Sequence, residues 1–165
     1  MNSIDVTSLL LRLPLGLMIA LHGWNKAKNK QSLSGTAGWF QSIGMTSPAL
    51  QAKLAAATET TCGLLLLVGL FTPVAAGALG ATMIVAIVVA HRKNGFFIFN
   101  EGQGWEYCAL ILTTSIAVGS IGGQRASLDN AVNLNFSSFA GLWIALLCAV
   151  VGAGIQLALF YRPAK

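Results

Sequence analysis

The sequence predicts an all-α membrane protein, a four-helix transmembrane bundle plus a fifth C-terminal transmembrane helix. Three observations predict it. Of 165 residues, 55% are hydrophobic and only 9% charged, and the mean hydropathy is +0.71, far more apolar side chain than a soluble domain of this length needs. Five apolar runs recur along the chain, three of them free of charge, each near or above the length that crosses about 30 Å of hydrocarbon. The cations fall on alternate connections. Five alternating spans put Lys26, Lys28, Lys30, Lys53, Arg92, Lys93, Arg162 and Lys165 on one side and only Arg125 on the other. The positive-inside rule makes the crowded side cytoplasmic, with the N-terminus outside and the C-terminus inside. The net charge of +5 is then expected beside anionic lipid headgroups, and no nucleic-acid partner is expected.

Span one runs from Val6 to Trp24 and contains Arg12 and Pro14. Pro14 either kinks the helix or marks where its regular part starts. Gly16, Ala20 and Gly23 recur at helical spacing, which lets a neighbouring backbone come close. No basic residue precedes this span, an arginine interrupts it, and no small-x-small pattern follows before Lys26. It is therefore read as a retained helix and not as a cleaved signal. Beyond Lys30, the residues Leu33, Ala37, Phe40 and Ile43 recur at intervals of three and four. They predict a short amphipathic helix within 31–46, lying in the cytoplasmic interface with Trp39 at headgroup level; a disordered loop is the alternative.

Span two, Lys53 to Phe71, holds a carboxylate, Glu59, inside an apolar run. An acid at a helix centre costs roughly 2.5–3.5 kcal/mol in lipid, so Glu59 is expected to face protein, a cavity or a partner. Span three, Thr72 to Ala90, follows after almost no loop. Thr72 suits the cap and Pro73 the first turn, so spans two and three form a tight antiparallel hairpin. Gly77 and Ala81 offer a further small-residue face. The following segment, with Phe96, Phe97, Phe99, Trp105 and Tyr107 among glycines, reads as an interfacial or shallow re-entrant stretch that roofs a cavity. Span four, Tyr107 to Ile121, ends at paired glycines, after which Ser127 suits the cap of a short turn. Span five, Phe136 to Tyr161, sets Gly141, Ala145, Ala149 and Ala153 on one stripe, the mark of a tight helix contact within the bundle or with another subunit. The Asn135-Phe136-Ser137 sequon abuts this span and reads as incidental.

The polar residues narrow the function. At about 1.5 Å per residue from the nearest cytoplasmic charge, Glu59 lies roughly 9 Å deep and His22 roughly 6 Å, with His91 and Glu106 close to the boundary. Titratable groups from four spans thus share one half of the membrane. Arg12 lies roughly 12 Å further out than Glu59 by the same arithmetic, so it either reaches Glu59 through tilt or snorkels to the outer interface. Glu59 is either a structural acid paired with Arg12 or His22, or a group whose charge matters to a ligand. Glu106 is either such a group or an interfacial anchor beside Trp105. His22 and His91 are the pair from which a haem would be held; histidines beside lysines at a boundary are ordinarily solvated, and haem is not expected. Cys62, Cys108 and Cys148 have neither C-x-x-C nor metal-ligand spacing. They read as packing residues, a redox pair being the alternative, and no metal site is expected.

The series LRLPLGLMIALHGWNK, ETTCGLLLLVGLFTP, GWEYCALILTTSIAVG and SLD resembles the DoxX family of small bacterial membrane proteins over about residues 8 to 130. Arg12, Gly16, His22, Gly23 and Lys26 match its first span, Glu59, Gly63 and Gly69 its second, Glu106 its fourth, and Ser127 and Asp129 its closing motif. The resemblance implies a four-span unit over 1–130, leaving 131–165 as an extra span with a cytoplasmic tail. It also implies a place in the cytoplasmic membrane and a link to sulfur, thiol or quinone oxidation. The first reading is accordingly an accessory subunit of a membrane-bound redox complex, with Arg12, His22, Lys26, Glu59 and Glu106 lining a pocket for a quinone or a small sulfur compound. The chain has no cysteine pair, nucleotide fingerprint or iron–sulfur spacing, so electrons would come from a partner subunit and no cofactor is expected to be covalently bound. The second reading is a structural subunit without chemistry that joins its complex through the stripe on span five. The third is a small-solute or proton transporter, against which stands the lack of a visible inverted repeat.

Overall fold

Five long helices follow one another in an order fixed by their caps. The structure, a computed structural model, describes residues 1–134, 136 and 138–163. Helix α1 (Ser3–Ala27) opens on a capping box: Asn2 Oδ1 accepts from the Asp5 amide and Asp5 accepts from the Asn2 amide. A short helix, α2 (Lys30–Ser42), leads to α3 (Pro48–Val68), which ends at Gly69 in a left-handed conformation. Helix α4 (Thr72–Ala86) continues through a π turn (Ile87–His91) and a 3₁₀ turn (Arg92–Asn94). Then come α5 (Glu106–Ile121), the single turn α6 (Leu128–Ala131) and α7 (Ser138–Phe160). Among the described residues there is no strand, only an isolated antiparallel bridge between Met45 and Tyr161. The sequon residues Asn135 and Ser137 lie outside the described residues, as does Lys165.

Three stretches, Ser3–Ala27, Thr72–Asn94 and Ser138–Phe160, are long and apolar enough to cross a membrane by themselves. Helix α5 is shorter and α3 carries Lys53 and Glu59, so these two depend on the others for cover. Helix α4 is the centre: ten of its fifteen residues are buried, and α3, α5 and α7 all pack on it. Helix α1 pairs mainly with α3, and α2 lies along α3 with Phe40 buried, its Leu33 and Ala37 turned to the same cluster. The predicted amphipathic helix is therefore present and packed. Pro14 sits inside α1 without ending it.

Lipid is as apolar as a helix core, so association rests on close packing and polar contacts. Close packing is visible at the small residues. A Cβ at Gly16 would lie 2.8 Å from the Gly63 carbonyl oxygen, one at Gly63 would strike the Ala20 backbone, and one at Gly23 would strike Thr60. Across the bundle, Gly141 meets the Gly119 carbonyl, while Ala145, Ala149 and Ala153 are buried against the α4 and α5 side. The stripe on span five therefore works inside the chain. This removes the ground for joining a host complex through it, because a face already buried by α4 and α5 is closed to a second protein.

Thr72 does not cap α4 as expected. Its hydroxyl is buried without a hydrogen-bond partner among the described residues, and the residue before it, Phe71, takes the left-handed cap position at φ 48°. Ser127 does cap as expected, its hydroxyl accepting from the Asn130 amide at 3.2 Å.

Candidate functional site

The lysine-rich end of the bundle is hollow. A cavity of about 310 Å³ lies between α1, α2, α3, α4, α5 and α7, mostly apolar in its walls. Helix α1 contributes Ile19, His22 and Lys26 at i, i+3 and i+7, one helical stripe. Helix α3 contributes Ala55, Thr58 and Glu59 from the face that also buries Ala52, Ala56 and Cys62. Facing them are Met83 and Ala86 of α4, Cys108 and Ile111 of α5, and Gln156 of α7.

Glu59 is buried, and its partner is Lys26: the ammonium donates to the carboxylate in an ion pair whose lysine end is a quarter exposed. The sequence expectation that Glu59 pairs with Arg12 or His22 is thereby corrected. Lys26 lies four residues beyond His22, and a four-carbon stem carries its charge back along the helix into the cavity. His22 and His91 do line the same cavity, each with Nδ1 against a backbone carbonyl oxygen, Met18 at 2.8 Å and Gln103 at 2.9 Å. A nitrogen facing a carbonyl must carry the proton, which leaves Nε2 of each ring as the acceptor. Among the described residues no group of three His, Cys, Asp or Glu is placed to hold a metal ion.

The segment between α4 and α5 forms the roof. The Gly104 amide donates to the Phe97 carbonyl, Glu106 to that of Phe96 and Trp105 to that of Gly95, folding the segment back on itself so that Ile98, Gln103 and Gly104 close the cavity. The Glu106 carboxylate accepts from the Ile98 amide at 2.9 Å and is not among the groups lining the cavity. It holds the roof in place, a correction to its expected position in the pocket. The residue after it, Tyr107, lines the cavity instead and donates its hydroxyl to the Met18 sulfur at 2.7 Å.

Arg12 is at the opposite end. Its guanidinium is fully buried and donates to the carbonyls of Leu66 at 3.1 Å, Leu67 at 3.2 Å and Ala126 at 2.6 Å. It neither reaches Glu59 nor snorkels outward. Leu66 and Leu67 are among the last carbonyls of α3, where the helix's own amides run out; the Gly69 amide reaches that of Leu66 at 3.2 Å, and Arg12 caps the same helix end from another helix. Asp129 does the converse for α4, accepting from the Phe71 amide at 2.7 Å and the Thr72 amide at 2.9 Å while its own amide donates to Gly69. The two ends of the α3–α4 turn are thus held by one cation and one anion supplied by α1 and α6. Gly69, at φ 65°, is the only fit between them, because a Cβ there would run into the Arg12 guanidinium.

Sequence reasoning passed over the neutral amides. Gln51 is fully buried on α3 and accepts from Gln156 of α7 at 2.8 Å, and Gln156 lines the cavity. A glutamine inside an otherwise charge-free span was the available signal, since an amide in lipid also needs a partner.

A family model described as DoxX matches residues 7–92, from early α1 to the turn after α4. A protein of Bacillus subtilis (strain 168) carrying the name "Putative oxidoreductase CatD" is 33% identical over 128 residues, covering 78% of this chain and 88% of that protein. No solved structure matches.

Proposed function

The chain belongs to the DoxX family, and from that membership we propose that it serves as an accessory subunit of a membrane-bound redox complex, its cavity holding a quinone headgroup or a small sulfur compound. The observation that carries this reading is the Lys26–Glu59 pair at the wall of an otherwise apolar cavity. An apolar chamber with a few convergent polar groups is the form small-molecule sites take. The name of the Bacillus relative supplies the redox direction.

A quinone held here would take up two electrons and two protons on reduction, the electrons coming from a partner subunit of redox class. The residues of this chain would do the rest. The Lys26 ammonium donates to a ligand oxygen, and Glu59 keeps that ammonium oriented and paired in a medium that penalises isolated charge. The Nε2 atoms of His22 and His91 accept protons from the water side of the cavity, and Tyr107 positions the flank of α5. Arg12 and Glu106 take no part in contact with the ligand. The lysine-rich end faces the cytoplasm, by the positive-inside rule.

Trp39 lines the cavity and reports on it. With the chain in lipid nanodiscs, a short-tailed quinone should quench tryptophan fluorescence saturably, Trp39→Phe should remove most of that quenching, and Lys26→Met should weaken binding at least about tenfold. Unsaturable quenching that Lys26→Met leaves intact would sink the proposal.

A further inference from the structure

A second cavity opens at the same end of the bundle, on the other side of the π turn. It has a volume of about 300 Å³ and lies between the end of α2 at Gln41 to Gly44, the turn from Val88 to Lys93, and Tyr161 to Pro163 after α7. Three of its side chains are cations, Arg92, Lys93 and Arg162, and none of the chain's five acids lines it. The gathering is built into the fold. The Arg162 amide donates to the Gly44 carbonyl at 2.8 Å, the Thr46 amide donates to the Phe160 carbonyl at 2.8 Å, and the Met45–Tyr161 bridge joins the same two segments. Gly44 stands at φ 85°, and a Cβ there would lie 2.7 Å from the Arg162 carbonyl oxygen, so the end of α7 is pinned against it.

Cations drawn together without an acid repel one another, and an anion between them removes that cost. Depth selects the anion. The apolar stretches Thr72–Asn94 and Ser138–Phe160 both finish at this cavity, which sets it where hydrocarbon gives way to headgroups. Ile43, Val88, Val89 and Tyr161 give it an apolar wall beside the polar edge formed by Gln41 and Ser42. A free inorganic anion would use the cations and leave that wall wet. We propose that this basic pocket binds the phosphate of an anionic phospholipid, with the glycerol and upper acyl chain against the apolar wall. Val89 lines this pocket and the larger cavity alike, so the lipid would bear on the π turn that separates them.

The experiment is native mass spectrometry of the full chain in mild detergent, titrated with phosphatidylglycerol, with phosphatidylcholine, and with inorganic phosphate as competitor. Phosphatidylglycerol should be retained over phosphatidylcholine by about tenfold or more. The double variant R92Q/R162Q should lose about fivefold for each charge removed, and K93Q alone should lose about fivefold. The pair K28Q/K53Q, outside the pocket but with the same change in net charge at the same end, should leave retention unchanged. Equal losses in R92Q/R162Q and K28Q/K53Q would overturn the site in favour of general electrostatic attraction. Displacement of the lipid by millimolar inorganic phosphate would overturn it in favour of a free anion.

Discussion

The two ends of this bundle each draw on a cation contributed by α1, and they treat it in opposite ways. Arg12 donates to three backbone carbonyls, and nearby Asp129 accepts from two backbone amides. Every one of those backbone groups belongs to a turn or helix end that must be satisfied somewhere. Lys26, fourteen residues along the same helix, meets one carboxylate from α3 and faces a cavity of about 310 Å³. A charge fully buried among backbone carbonyls faces no void that a ligand could fill. A charge held by one acid at the edge of a void does. The difference teaches that depth in the membrane does not separate structural from functional charges; what each charge touches does.

The sharpest way to break the comparison is to remove the backbone clamp. Arg12→Met leaves the carbonyls of Leu67 and Ala126 without their donor and that of Leu66 with the Gly69 amide alone, and should lower stability by about 3–5 kcal/mol. Gly69→Ala imposes a left-handed alanine and drives its Cβ toward Arg12, for a loss of at least about 2 kcal/mol. Asp129→Asn keeps one acceptor and should lose about 1–2 kcal/mol. Denaturant unfolding in detergent measures all three. Should Arg12→Met unfold like the parent while losing quinone binding, the assignment of the two ends would be reversed.

Much of this was legible beforehand. Helix order, the α3–α4 hairpin, the roofing segment and the glycine contacts at Gly16 and Gly23 follow from periodicity and small-residue spacing, which local sequence carries directly, while Gly63 enters through the family resemblance. The importance of Glu59 follows from the cost of a carboxylate in lipid. The partners do not follow. Arg12 was read against Glu59 because acids are visible in a sequence and the carbonyls of Leu66 and Ala126 are not: every residue has one, and only the fold aims it. For Glu106 the sequence leaves open a pocket group or an anchor beside Trp105, and its side chain turns back to the Ile98 amide, a contact set by the loop's closure. Lys26, placed in the pocket by the family resemblance, does line it, but its pairing with Glu59 does not follow from linear depth, which ignores the reach of its stem.

At the cavity end the expected pattern inverts. Lys26→Met alone strands a buried carboxylate and should cost about 3 kcal/mol, whereas Lys26→Met with Glu59→Gln removes both charges and should unfold within about 1 kcal/mol of the parent. Both variants should lose ligand affinity at least about tenfold. Stability restored without function is the signature of a pair kept for its ligand, and it has no counterpart at Arg12, where no single substitution removes the carbonyls.

The smallest expected effect distinguishes the ends by access. Cys108 is buried but lines the cavity, whereas Cys62 is buried without doing so, and Ser8 sits at the other end with its hydroxyl on the Gly122 carbonyl at 2.8 Å. In a chain carrying Cys62→Ala and Cys148→Ala, alkylation of Cys108 by a membrane-permeant maleimide should be slow and should slow about threefold further under saturating quinone, because reagent and ligand share one space. A cysteine placed at Ser8, in a chain with all three native cysteines removed, should react at a rate the quinone leaves unchanged. Protection at both positions would mean that the ligand tightens the whole bundle, and the division between a clamped end and a binding end would fail.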